Sequence, residues 1–202
     1  MTDKKVNKAS VIVLAVSFIV LIAAVLVMWQ SGTKDHGIMK AYQGIGGDFV
    51  LQSAEGPVSL SQYQDKVIVL YFGYAFCPDV CPTSLGLLSL ALQKLSKEEL
   101  NKLQAFFISV DPERDTPEKL KSYAAAFHPA IKGVTGTPEQ IAEIAKRYGV
   151  MYMKVDLPGS EMKYAVDHSS RYYVVDPKGK IKTFIEHGTE PGKIAAALRA
   201  VM

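Results

Sequence analysis

Cysteine is nearly absent from this 202-residue chain, which has only Cys77 and Cys81. Apolar residues make up 49% of it, enough for an ordinary core, so no disulfide staple is needed to hold the fold together. An excess of charge is also missing. The formal net charge is +3, and three lysines against one aspartate in the first thirty positions account for most of it. The remainder is close to neutral and carries no electrostatic footprint for nucleic acid. Internal repeats and low-complexity segments are absent, which leaves one globular domain plus an appendage as the organisation expected at this length.

Polarity is missing from one long stretch. Residues 9–29 hold no charge, and Ser10 and Ser17 are their only polar side chains. Roughly 20 residues of helix span the hydrocarbon core of a bilayer. Trp29 stands at the far edge, where an indole favours the interface. Lys4, Lys5 and Lys8 precede the run, so the positive-inside rule keeps residues 1–8 in the cytoplasm and puts the rest outside. A cleaved signal has a shorter apolar region and small residues at its cleavage site. Val27-Met28-Trp29-Gln30-Ser31-Gly32 has bulky residues there. The expectation is an uncleaved single-pass anchor in the cell membrane over residues 9–29. A tether over 30–46 and an extracytoplasmic (periplasmic) domain over 47–202 follow. On that side of a membrane a close thiol pair is a disulfide, a redox switch or a metal site.

Within the domain, Phe49-Val50-Leu51 and the stretch after the Gly56-Pro57 turn read as short strands. Residues 67–74 form an unbroken apolar run, as in a strand covered on both faces. Leucines dominate residues 83–95, a buried helix that Ser96-Lys97-Glu98-Glu99 is expected to end. Residues 105–110 form a second buried strand. Thr116 and Thr137 are N-cap candidates, each with proline at the first helical position; Thr137 and Gln140 also form a capping box. The second of these helices stops at Gly149. Residues 151–155 read as a strand, and residues 171–176 and 181–185 as a hairpin around Pro177-Lys178-Gly179-Lys180. A last amphipathic helix starts at Pro191. This order predicts a mixed α/β sheet flanked by helices. A thiol pair where the first buried strand meets its helix predicts a thioredoxin-like fold.

Pro82 is comfortable only near a helix start, so the run Cys77-Pro78-Asp79-Val80-Cys81-Pro82 is expected as an irregular turn leading into a helix from about Pro82. Either way both sulfurs lie near a helix N-terminus, where the dipole favours thiolate. Thiolate both binds metal and attacks disulfides, so placement alone leaves both chemistries open. Three intervening residues, against two in thioredoxin-type pairs, leave a loop that closes as a disulfide or opens around an ion. Two soft ligands favour Cu(I), with zinc as an alternative, and call for a third. His36 reads as a solvated residue of the tether, His128 as a surface or capping residue, and His187 as structural. His168, in Val166-Asp167-His168-Ser169, is assigned to a loop before the strand at Arg171, a loop that approaches the thiols in a thioredoxin-like sheet. Position alone leaves its ligand and structural readings equally open. Asp167 beside it is a candidate to orient the imidazole.

Four ordered stretches then resemble the Sco/SenC family of copper proteins. They are Tyr71-Phe72-Gly73-Tyr74-Ala75-Phe76-Cys77-Pro78-Asp79-Val80-Cys81-Pro82-Thr83, Ile108-Ser109-Val110-Asp111-Pro112-Glu113-Arg114-Asp115-Thr116-Pro117, Gly133-Val134-Thr135-Gly136-Thr137 and Tyr164-Ala165-Val166-Asp167-His168-Ser169. The likeness runs from about Gly47 to the C-terminus. It implies a membrane-anchored thioredoxin-like domain binding copper, as Cu(I) or Cu(II), through Cys77, Cys81 and His168. It also implies a metallochaperone role in building the dinuclear copper centre of cytochrome c oxidase. The oxidase's copper-binding subunit is then a partner, with a copper-donor chaperone and a thiol reductant as further ones. Asp79, Asp111, Asp115 and Asp167 take accessory roles. Ala75-Phe76 departs from the Thr-His of many relatives, which removes a nearby imidazole but no expected ligand.

Other readings compete. If Cys77 and Cys81 are redox-active, the protein is a thiol–disulfide oxidoreductase reducing a partner's copper-site cysteines. A peroxiredoxin would want threonine three residues before the attacking cysteine, and position 74 is tyrosine. Asp111 and Asp115 read first as parts of a helix-start loop, second as docking or accessory groups. Met151 and Met153 alternate along a strand, and core placement is the expectation, since methionine readily fills gaps. Tyr71, Tyr74 and Phe76 are expected to wall the thiols from water.

Overall fold

A computed structural model of the chain describes residues 14, 16–23, 44–176 and 178–202. The chain divides into one unit up to Gln43 and another from Gly44 to Met202. In the first unit, residues 14 and 16–23 are helical, and their apolar side chains are exposed. The rest of the expected anchor and nearly all of the tether lie outside the described residues. Among the described residues, no helix is long and apolar enough to cross a membrane.

The second unit opens with an antiparallel hairpin, β1 (Val50–Ser53) and β2 (Gly56–Ser59). Then come β3 (Val67–Gly73), α1 (Val80–Leu92), α2 (Lys97–Asn101), β4 (Leu103–Ser109), α3 (Pro117–Phe127), β5 (Ile131–Val134) and α4 (Pro138–Tyr148). A second antiparallel hairpin, β6 (Tyr152–Asp156) with β7 (Tyr164–His168), leads to β8 (Arg171–Val175), β9 (Ile181–Glu186) and α5 (Pro191–Arg199). Five strands form the main sheet in the order β5-β4-β3-β8-β9. β3, β4 and β5 run parallel, while β8 is antiparallel to both β3 and β9. This is the mixed, helix-flanked, thioredoxin-like sheet the element order predicts.

β3 is the centre because all seven of its residues are buried, which is why its sequence is continuously apolar rather than alternating. α1 turns Leu85, Leu88 and Leu92 inward and packs against α5, whose Ile194 and Leu198 are also buried. Each such side chain contributes about 1.5–3 kcal/mol on full burial. The caps form as read. Thr116 accepts from the Lys119 N–H with Pro117 behind it, and Thr137 and Gln140 exchange capping bonds. α4 ends on Gly149 at φ 65°, a left-handed position that glycine occupies without strain.

Three local expectations are corrected. Ser96-Lys97-Glu98-Glu99 does not only end α1; it is itself a capping box that starts α2. β5 was unforeseen, because Lys132 and Gly133 break up a run of four. Gly133 packs where a Cβ would strike the Leu120 backbone, so α3 sits directly on this strand. Finally, His168 is not in a loop. It ends β7, paired with Tyr152 on β6, and the partner strand supplies the order that a polar Asp-His-Ser run does not advertise.

Candidate metal centre

β3 delivers its C-terminal end to the site. After Gly73 the chain turns, with the Cys77 N–H bonded to the Tyr74 carbonyl at 3.2 Å. α1 then starts at Val80, two residues before the expected Pro82, with Asp79 at its N-cap. Pro82 fits as the third helical residue because the first turn has no intrahelical use for its missing N–H. Cys77 therefore lies just outside the helix and Cys81 inside its first turn. Asp79 is exposed, and its carboxylate takes the Thr83 hydroxyl at 3.4 Å.

β7 brings the third group. The ligand atoms of Cys77, Cys81 and His168 all lie within 4.8 Å of one another. Cys81 is fully buried, Cys77 is 8% exposed, and His168 is half-buried. The His168 Nε2 stands 3.1 Å from the Cys81 Sγ. On the other side of the ring, Nδ1 faces the Ser169 carbonyl at 3.1 Å. A carbonyl only accepts, so the proton stays on Nδ1 and Nε2 is the atom turned to the sulfurs. This corrects the role expected of Asp167. Neighbouring strand residues point to opposite faces, and Asp167 is exposed opposite Met153 while a backbone carbonyl orients the ring. The rings of Tyr71 and Tyr74 meet the imidazole edge-on at 6.2 and 5.9 Å. Both tyrosines are buried, but Phe76 is 44% exposed. It lies outside the wall, under the Lys119 ammonium at 3.4 Å and near the Arg114 guanidinium at 5.0 Å.

The two cysteines are free thiols of opposite character. Cys77 is held down to about 3, first by hydrogen bonding from Cys81 and, against burial, by the Asp79 and Cys81 backbone N–H groups. Cys81 is pushed well above the usual thiol range by donating to Cys77 and by burial. The pair is thus asymmetric, with Cys77 the thiol favoured as thiolate.

Asp111 and Asp115 are both fully buried and do not face the thiols as ligands. The Asp115 Oδ2 accepts the Ala75 N–H at 2.8 Å and the Ser109 hydroxyl at 2.7 Å, so it anchors the loop two residues before Cys77. Asp111 accepts from Arg114 and from the Tyr164 hydroxyl at 2.7 Å. The Arg114 guanidinium also donates to the Met162 and Tyr164 carbonyls at 3.1 and 2.9 Å and lies 3.7 Å over the Tyr164 ring. It thereby ties the β6–β7 hairpin, and with it His168, to the loop after β4. The helix-start reading of these acids was right in location and incomplete in role.

Two contributors were not read from the sequence. A Cβ on Gly73 would come within 2.6 Å of the Cys81 Sγ, so the missing side chain is the space the sulfur occupies. The Ser169 carbonyl is a backbone group and leaves no sequence signal. Among the other histidines, His128 is the C-cap of α3 and its Nδ1 accepts the Ala130 N–H. His187 meets the Ser84 hydroxyl at 2.8 Å, a structural contact as expected.

Comparison with known proteins agrees with the motif resemblance. The SCO1/SenC family model matches residues 39–202. "Protein SCO2, mitochondrial" of Saccharomyces cerevisiae is 39% identical over 150 residues, 73% of this chain and 50% of the relative. The chain thus spans about half the length of that protein. A SCO2-like protein of Rickettsia conorii is 32% identical over 195 residues, 93% of this chain and 95% of the relative. Among solved structures, Bradyrhizobium japonicum ScoI with copper bound superposes with a TM-score of 0.71 at 36% identity, covering 78% of this chain and 99% of that one. BsSco, described as a member of the Sco family of cytochrome c oxidase assembly proteins with a disulfide switch, gives 0.58 at 26%, covering 78% and 94%.

Proposed function

The chain belongs to the SCO1/SenC family, and from that premise we propose that it is a copper-binding metallochaperone that serves assembly of the dinuclear copper centre of cytochrome c oxidase. One observation carries the proposal: two thiols and an imidazole nitrogen converge within 4.8 Å at a helix N-terminus. Thiolate suits Cu(I) and imidazole suits both copper states. Cys77, Cys81 and His168 would hold the ion, which arrives as cargo. Cys77 needs no deprotonation. Cys81 gives up its proton to water on binding, since metal binding to thiols releases protons. The Ser169 carbonyl keeps the Nε2 of His168 available. Relatives described as copper-bound or as oxidase assembly proteins support this reading.

The partners that fit are the oxidase's copper-binding subunit, a copper donor and a thiol reductant. Residues 9–29 serve as a single-pass membrane anchor, with residues 1–8 in the cytoplasm, a tether over 30–46 and the domain over 47–202 on the extracytoplasmic side. The charge-free run and the lysines before it support that topology.

The test is copper binding by the reduced full-length chain in detergent. One copper per chain is expected, and His168→Ala should bind it much more weakly. Undiminished copper affinity in that variant would overturn the three-ligand centre.

The asymmetry of the thiols favours a second reading, a thiol–disulfide oxidoreductase. The Cys77 thiolate would attack a partner disulfide, and Cys81 would then attack Cys77, releasing the partner as a dithiol and leaving Cys77–Cys81 oxidised. Two electrons pass to the partner. A reduction potential far below the periplasmic poise would favour this electron-donating role.

A further inference from the structure

The third ligand arrives on a part of the fold that is gripped on one face. Among the described residues, β6 and β7 pair with each other and not with the five-stranded sheet, and a two-stranded hairpin by itself is marginally stable at best. Along β7, Tyr164, Val166 and His168 share a face, and Val166 is buried there. The opposite face is open. Met153 pairs across from Asp167, and Met151 lies just before β6. Both line an open groove and are 63% and 79% exposed, which corrects the core placement expected of them.

Arg114 grips the inward face. Its Nε donates to Asp111, and its Nη1 donates to the Met162 and Tyr164 carbonyls at 3.1 and 2.9 Å. The guanidinium lies 3.7 Å from the centre of the Tyr164 ring and 5.6 Å from that of Tyr74. The Tyr74 ring in turn meets the His168 imidazole edge-on at 5.9 Å. One planar group thus reaches His168 by two routes, along β7 from Tyr164 and through Tyr74 in the loop that leads to Cys77. Lys154 and Glu113 also pair across this junction at 2.6 Å, but both are exposed, and such pairs contribute little.

We propose that Arg114 is a positioning residue of the metal centre: it holds His168 against the two sulfurs by clamping the β6–β7 hairpin to the cysteine loop. This rests on the copper reading above. Charge alone does not make the clamp. It uses Nε, Nη1 and the flat face of the guanidinium at once, which an ammonium on a flexible stem does not reproduce. Arg114→Lys keeps a cation beside Asp111 but frees β7 to swing about Ser169 and Ser170, its link to β8. That swing carries the Nε2 of His168 off the sulfurs.

The test uses the reduced full-length chain in detergent and Cu(I) alone, competed against a chromophoric chelator. Arg114→Lys should lose roughly 10–100-fold in copper affinity, the range for groups that orient a ligand. In a His168→Ala background the same substitution should cost nothing further, because Arg114 acts through that ring. A merely structural role would weaken both backgrounds alike. The metal-free chain gives an independent readout, a nuclear Overhauser contact between the His168 and Tyr74 rings. It should be present in the wild type and lost in Arg114→Lys, and its persistence there overturns the proposal. Where His168→Ala weakens binding, wild-type affinity in the lysine variant or an equal loss in both backgrounds overturns it too. Where His168→Ala binds copper undiminished, the three-ligand centre fails, and loss of the ring contact still carries the positioning role. Should Arg114→Lys fail to fold, Tyr164→Leu takes its place. It leaves the Arg114–Asp111 pair and removes the ring and hydroxyl that hold the hairpin, and the same outcomes decide.

Discussion

Gly73→Ala is the smallest change that reaches the centre. The added Cβ would lie 2.6 Å from the Cys81 Sγ and 2.9 Å from the Phe107 ring. Ordinary contact lies near 3.5–4.0 Å, so the sulfur has to retreat by about 1 Å. β3 is the central strand of the sheet, hydrogen-bonded to β4 on one side and β8 on the other, and cannot yield instead. Overpacking of this kind costs about 1–3 kcal/mol of stability. The metal centre is less forgiving than the core, because ligand distances hold to about 0.2 Å. Changes that displace a ligand indirectly lower metal affinity by roughly 10–100-fold, and we expect a loss in that range. The assay pairs a Cu(I) competition titration against a chromophoric chelator with denaturant unfolding of the metal-free chain. A variant that is destabilised yet binds copper with wild-type affinity would refute the claim that Gly73 sets the position of Cys81.

Two further outcomes follow from the same geometry. Asp115→Ala removes the acceptor for the half-buried Ala75 N–H and the buried Ser109 hydroxyl, and should lower unfolding free energy by about 2–4 kcal/mol. Adding Ser109→Ala should then cost less than its effect in the wild type, since the two groups share one bond, and strict additivity would argue against the anchor. The thiols should titrate asymmetrically. Cys77 has its folded value lowered to about 3, below the free-thiol value of about 8.5, so its thiolate stabilises the reduced fold above about pH 8.5 and that contribution fades as pH falls toward 3. Cys81 is raised, so its contribution is present below the free-thiol value and fades as pH rises beyond it. Ultraviolet thiolate absorbance should therefore report one thiolate, not none or two, across neutral pH, and alkylation should label Cys77 first. Equal labelling of both cysteines would contradict this asymmetry.

Much of the fold was legible because its elements announce themselves locally. The apolar run of β3, the Thr116 and Thr137 caps and the Gly149 stop are decided by residues next to one another. α2 and β5 were missed for the opposite reason. A five-residue helix has too few residues for a pattern, and β5 is a strand only because β4 supplies hydrogen-bond partners. The same division holds at the site. The thiol pair and its placement at a helix start were readable, since proline, the strand end and the dipole are local facts. The orientation of His168 was not, because it depends on β6 pairing with β7 and on a carbonyl.

By itself, then, the sequence determined the sheet's central strand, the thiol pair at its end and the family motifs around it. Tertiary structure alone decided the rest. It pushed the Cys77 and Cys81 pKa values in opposite directions, because the two thiols are coupled and Cys81 is the more deeply buried. It turned Asp111 and Asp115 from acids of a helix-start loop into buried anchors, because the Ala75 N–H and the Tyr164 hydroxyl they accept from come from distant segments. And it moved Met151 and Met153 from the expected core to an exposed groove, because nothing in an alternating strand says which of its faces the rest of the chain will cover.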